Sequence, residues 1–102
     1  MSIMYITEFA GVRAGGGGLM ASLPPTASQA ITFSTAAQSA AFQNNTSMVR
    51  INVDGLANIA FGTNPTAVAS TSMRMSAGQT EYFDLSSVIG QGFKVSAITS
   101  PV

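Results

Sequence analysis

There is no cysteine, no histidine and no tryptophan anywhere in this 102-residue chain. Without cysteine there is no disulfide scaffold and no thiol chemistry, and the redox compartment is left open. Without histidine as well, the usual nucleophile–base pairs and the imidazole or thiolate metal sites are gone. Charge is scarce too. Four basic and four acidic residues sum to a net charge of zero, against roughly a quarter of residues charged in a typical soluble domain. Four scattered basic residues make no electrostatic footprint for nucleic acid. No apolar run approaches the ~20 residues that span a bilayer. The opening MSIMYITEFAG lacks a basic segment and is interrupted by Glu8, so no secretory signal is expected. A soluble protein made in the cytoplasm, with no membrane partner, is the expectation.

The acids that remain are poorly placed for chemistry. They are Glu8, Asp54, Glu81 and Asp84. Glu81 and Asp84 lie three apart on an expected strand, which puts them on opposite faces, unsuited to shared acid–base work or a calcium cage. Asp54 precedes Gly55 in a turn, where Asp is favoured for turn reasons alone. The four glycines at 15–18 match neither a dinucleotide fingerprint nor a phosphate-binding loop. No catalytic residue, metal or cofactor is expected, and the chain is not read as an enzyme.

What the chain does have is apolar residues, 46% of the total, too many for disorder. At this length it is one domain that buries over ~60% of its unfolded surface on folding. With so little charge, its polar surface must be Ser, Thr, Asn, Gln and backbone. Such a surface suits a protein packed against copies of itself or a partner.

The alternation is that of strands. In residues 47–62, Val49, Ile51 and Val53 alternate with Met48, Arg50 and Asn52, Asp54-Gly55 turns the chain, and Ile59 and Phe61 resume the pattern. Read as a hairpin with a three-residue loop, this segment pairs Val53 with Ala57, Ile51 with Ile59 and Val49 with Phe61, keeping the apolar residues on one face. A short strand is expected around residues 40–43. Residues 29–35, 67–75, 80–85 and 93–98 read as strands, and 86–92 as a loop anchored by Val88 and Ile89. Turn signals every 8–12 residues or so, and no convincing amphipathic helix, indicate an all-β fold: a small jelly-roll-like β-sandwich or barrel.

The N-terminal part is expected to stand apart. Ile3, Tyr5, Thr7 and Phe9 alternate with Met4, Ile6 and Glu8, apolar on both sides. The tetraglycine run behind them is a pliable tether unable to hold a strand by itself, and Pro24-Pro25 fixes an extended segment. The expected division is an extended N-terminal arm and tether over residues 1–26 and a β-sandwich body over 27–102. The arm either folds back as an edge strand of its own sheet or is donated to a neighbour by strand addition. Ile3, Met4, Tyr5, Ile6 and Phe9 are the candidate contacts to a partner or second protomer. Deleting residues 1–11 is expected to weaken attachment and leave the body folded. Tyr5 and Tyr82 are the aromatics that fit an interface, the phenylalanines being mostly at core-facing phases.

Over residues 42–98 the chain resembles small virion proteins of tailed bacteriophages. The resemblance rests on the strand and turn VRI-x-V-D-G (Val49 to Gly55), the turn G-x-NPTA (Gly62 to Ala67), and the turn and strand AG-x-x-EYF (Ala77 to Phe83). It implies a capsid decoration (cement) protein or other minor head component of jelly-roll or β-sandwich form. It would be bound to the major capsid protein on the capsid exterior, after synthesis in the host cytoplasm. Self-association is expected, a homotrimer ahead of a dimer, since both match local symmetry points of a shell. The alternative is a receptor- or carbohydrate-binding module of a phage tail or fibre.

Overall fold

The computed structural model describes residues 2–10, 12–15, 18–21, 27–69 and 72–99, the backbone alone for 12–15 and 18–21. In chain order its strands are β1 (Ser2–Phe9), β2 (Val12–Gly15), β3 (Gly18–Ala21), β4 (Ala27–Phe33), β5 (Ala37–Gln38), β6 (Met48–Val53), β7 (Ala57–Gly62), β8 (Met73–Met75), β9 (Thr80–Asp84) and β10 (Lys94–Thr99). One turn of 3-10 helix, Ser86–Val88, follows β9. Two four-stranded antiparallel sheets face each other, one in the order β4-β1-β6-β9 and the other β5-β10-β7-β8, and β2 pairs with β3 in a separate ribbon. The protein is all-β, a small β-sandwich.

Alternation places one side chain in two between the sheets. Met4, Ile6, Phe33, Val49, Ile51 and Val53 enter the core from the first sheet, and Ala57, Ile59, Met75, Val95 and Ala97 from the second. Phe42 and Leu85 plug it from the connections. Phe61 of β7 meets Phe83 of β9 across the core, ring centroids 4.9 Å apart. Burying a large aliphatic side chain contributes about 1.5–3 kcal/mol, so these residues supply most of the drive to fold.

The expected central hairpin is not a hairpin. The inward residues are as read, since Val49, Ile51, Val53 and Ile59 are all fully buried. However, β6 lies between β1 and β9 in the first sheet, while β7 lies between β10 and β8 in the second. Asp54, Gly55 and Leu56 therefore carry the chain across the sandwich as an arch. The turn is fixed to β1: the Asp54 N–H donates to the Ile3 carbonyl at 3.1 Å, and the Ile3 N–H donates to Asp54 Oδ1 at 2.6 Å. A Cβ at Gly55 would collide with the Ser2 side chain, which is why glycine stands there. An arch and a hairpin bury the same residues, so alternation does not separate them.

The arm is likewise corrected. β1 pairs along its length with β4 on one side (Met4 with Ile31, Ile6 with Gln29) and with β6 on the other (Met4 with Val53, Ile6 with Ile51). It is an interior strand, neither an edge nor a free arm, so a boundary between residues 26 and 27 cuts through one sheet. Of the residues read as an arm, Met4 and Ile6 line the core, while Ile3, Tyr5 and Thr7 face outward, Tyr5 exposed. Of the tetraglycine stretch, Gly15 and Gly18 pair at the end of the β2–β3 ribbon, and Gly16 and Gly17 lie outside the described residues. Pro24-Pro25 lies outside the described residues.

Two strands are shorter than alternation suggests. Residues 40–43 form no strand; β5 is Ala37–Gln38, and the segment after it is held by Ser39 N to Val95 O and Phe42 N to Phe93 O. Within 67–75 the ladder covers Met73–Met75. Before it, the Gln38 amide donates to Asn64 Oδ1 (2.9 Å) and the Pro65 carbonyl (2.7 Å), and the Ala67 N–H donates to the buried Ser96 hydroxyl (3.0 Å). Side chains replace the strand ladder there.

Candidate interface on the outer face of the first sheet

Directly opposed residues in an antiparallel ladder share a face, so the registers define the outer surface row by row. One row is Ala30, Tyr5, Asn52 and Thr80; the next is Ser28, Thr7, Arg50 and Tyr82. Ile3 and Thr32 lie beyond the first row, and Asp84 beyond the second. The surface is built from small uncharged residues, with Arg50 and Asp84 its charges and two tyrosines standing out of it. Tyr5 is 43% exposed and Tyr82 56%. The Asn52 amide donates to Thr80 Oγ1 at 2.8 Å and to the Gln79 carbonyl at 3.2 Å, fixing the centre of this face. Arg50 is half-buried beside Tyr82 and makes no ion pair or hydrogen bond among the described residues.

The five residues expected to contact a partner are divided by the strand's two faces. Tyr5 is exposed and Ile3 half-buried on the outer side, while Met4, Ile6 and Phe9 are buried. Met4 and Ile6 lie in the core between the sheets, while Phe9, on the same side of the strand as Tyr5, is buried outside that cluster. Burial removes all three from any contact made by the folded chain. Arg50, Asn52 and Thr80 complete the outer face and were not singled out from the sequence. Their signal was parity with Tyr82 once β6 and β9 are neighbours.

The carboxylates are engaged in holding the fold. Glu8 sits at the end of β1, 1% exposed. It accepts from Thr46 Oγ1 at 2.7 Å, the Gln43 N–H at 2.8 Å and Gln29 Nε2 at 3.4 Å. Gln29 passes the connection on by accepting from the Ala40 N–H at 2.9 Å. A buried carboxyl group needs such donors, since desolvation without them costs several kcal/mol. Glu81 accepts from Gln79 Nε2 at 2.9 Å. Asp84 Oδ1 accepts from the Ser86 N–H at 2.9 Å, and hydrogen bonding by that backbone amide and by the Ser86 side chain holds the Asp84 carboxyl below its usual range. Among the described residues no three His, Cys, Asp or Glu side chains lie close enough to hold a metal ion, and no helix is long and apolar enough to cross a membrane.

A scan of protein-family models and comparisons with curated proteins and with solved structures find no match for this chain.

Proposed function

We propose that this chain is a structural virion protein, a capsid decoration (cement) protein bound to the outside of a phage head. One observation carries the reading. The outer face of the four-stranded sheet is broad, nearly free of charge, and set with Tyr5, Tyr82 and Arg50, residue types enriched where proteins meet. Arg50 has no ion-pair partner among the described residues. Each copy would lie across a junction between major capsid subunits, and many modest contacts would sum through multivalency to hold the shell against the pressure of its contents.

The strand order supports the jelly-roll form of this reading. Counted from β4, one sheet holds the first, eighth, third and sixth strands and the other the second, seventh, fourth and fifth, the order of a jelly roll with β1 in the place of the eighth strand. The three patterns that carry the resemblance to small phage virion proteins fall on β6 with its arch, on the turn after β7, and on the turn leading into β9 with its first residues. The test is quantitative mass spectrometry of purified particles. Copies in fixed proportion to the major capsid protein support the proposal; a few copies at a vertex or tail, or none, end it.

The alternative, a carbohydrate- or receptor-binding module, draws on the same face. Tyr5 and Tyr82 lie on one surface with Asn52 and Arg50 between them, an arrangement that offers aromatic faces and polar groups to a sugar. A specific glycan-array hit abolished by Tyr5→Ala would favour it.

A further inference from the structure

We infer that β9 is a self-pairing edge, through which two copies of this chain join their first sheets into one continuous antiparallel sheet. In the β6–β9 register, Met48 opposes Asp84 and Ile51 opposes Glu81. The Leu85 N–H donates to the Ser47 carbonyl at 2.7 Å, and the Val53 N–H to the Gln79 carbonyl at 3.3 Å. Both bonds fall on odd-numbered residues of the β9 segment, and antiparallel bonding alternates along a strand. Glu81 and Phe83 therefore bond inward to β6, while Thr80, Tyr82 and Asp84 turn their N–H and C=O groups out of the sheet. Among the described residues no strand lies beyond β9.

A two-fold axis perpendicular to the sheet keeps inner faces with inner faces, so it must pass through a residue position. Centred on Glu81, it sets two carboxylates directly opposite, which is unfavourable. Centred on Phe83, it leaves Thr80 without a partner. Centred on Tyr82, it opposes Tyr82 to its own copy and Thr80 to Asp84 of the second copy, and every outward backbone group of the strand is bonded. Directly opposed residues then carry no like charges, and the two Glu81 side chains approach no closer than a diagonal, ~7–8 Å. The arrangement covers Tyr82, the most exposed large hydrophobic side chain among the described residues, with an identical ring.

The other edges fit this role less well. β8 is three residues long. β4 turns Ser28, Ala30 and Thr32 outward, small side chains that self-pairing would hardly cover. On that side the chain also crosses between the sheets, with the Thr99 N–H donating to the Ser34 carbonyl. Of the two oligomers the sequence suggests, the edge favours the dimer over the trimer. The inference stands apart from the capsid proposal: dimerisation is read on the free protein and attachment on particles, so either can fail alone.

Sedimentation velocity over a concentration series tests it, on the full chain and on Tyr82→Lys and Tyr82→Glu. The full chain is expected to pass from monomer to dimer. Each variant alone, having like charges at the axis and no ring pair, should dimerise at least about tenfold more weakly, and an equimolar mixture of the two should recover the dimer. Amide exchange on the unmodified protein is the second measurement and needs no variant. Exchange at Thr80, Tyr82 and Asp84 should slow as concentration rises, while Glu81 and Phe83 stay protected throughout. A monomer at every concentration, a trimer, variants that dimerise like the parent, a mixture that does not recover, or slowing at Ala30 in place of Tyr82 would overturn it.

Discussion

Glu8 shows how far a single residue can be read from sequence. It shares the parity of Met4 and Ile6, but with apolar residues on both sides of the strand alternation did not say which side is inward; Glu8 lies inward, 1% exposed. The sequence could not reveal its donors, because Gln29, Gln43 and Thr46 come to it through folds of the chain 21 to 38 residues long. Glu8→Ala would leave the buried Thr46 hydroxyl and the part-buried Gln43 N–H without their acceptor. The expected loss is about 3 kcal/mol in urea unfolding, with Glu8→Gln costing less because it keeps an acceptor oxygen. Gly55→Ala should cost on the order of 1 kcal/mol through its collision with Ser2, and the second substitution Ser2→Gly should restore most of it. Recovery in that double variant distinguishes a steric cause from a conformational one. Asp84 makes a prediction about pH. Its folded-state pKa is depressed by the Ser86 hydrogen bonds. Its contribution to stability is therefore present above the unfolded carboxyl value and is lost as pH falls through the folded one. A side-chain NMR titration of Asp84 should give a midpoint below that of a free aspartate, and the Ser86 amide should shift with it.

At the scale of elements, alternation conveys which side of a strand is wet, and nothing about which strand lies beside it. That is why the all-β class, the inward set Val49, Ile51, Val53 and Ile59, and the strands β4, β6, β7, β9 and β10 were legible to within a residue or two. The Asp-Gly turn was misread because an arch and a hairpin need the same short polar turn and bury the same residues. What decides between them is the competition for the flanks of β6, and β1 and β9 win both. β1 was misread for a related reason. Glycine-rich sequence behind it suggests freedom, yet a strand's place is set by the partners that claim its backbone bonds, and both sides of β1 are claimed. The outcome of truncation changes accordingly. Removing residues 1–11 takes Met4 and Ile6 out of the core and separates β4 from β6. The shortened chain should lose its cooperative thermal transition entirely, as read by circular dichroism, rather than persist as a folded body.

At the scale of the molecule, the outer face of the first sheet is legible only after the pairing is known. Tyr5 and Tyr82 stood out in the sequence as aromatics off the core phase, but their sharing a surface depends on β6 lying between β1 and β9. If that face meets a capsid, Tyr5→Ala and Arg50→Ala should each lower particle occupancy while leaving the melting temperature of the free protein nearly unchanged, because both side chains point away from the core. Losses confined to thermal stability would instead mean that this surface contributes only to the fold. The charge-poor composition has a use in this setting: a surface with only Arg50 and Asp84 as charges approaches its neighbours with little dependence on salt.

β1 lies inside the first sheet, and β10 lies inside the second, flanked by β5 and β7. As the chain leaves the ribosome β1 can gain β4 on one flank, but its other flank stays open until Met48–Val53 has been made, and the second sheet cannot close until Lys94–Thr99 has emerged. Assembly must be a late, single event that draws distant segments together, and chains with such distant pairings fold in milliseconds to seconds or so. During synthesis the alternating apolar strands wait in the open, where copies made side by side can find one another before each has found itself.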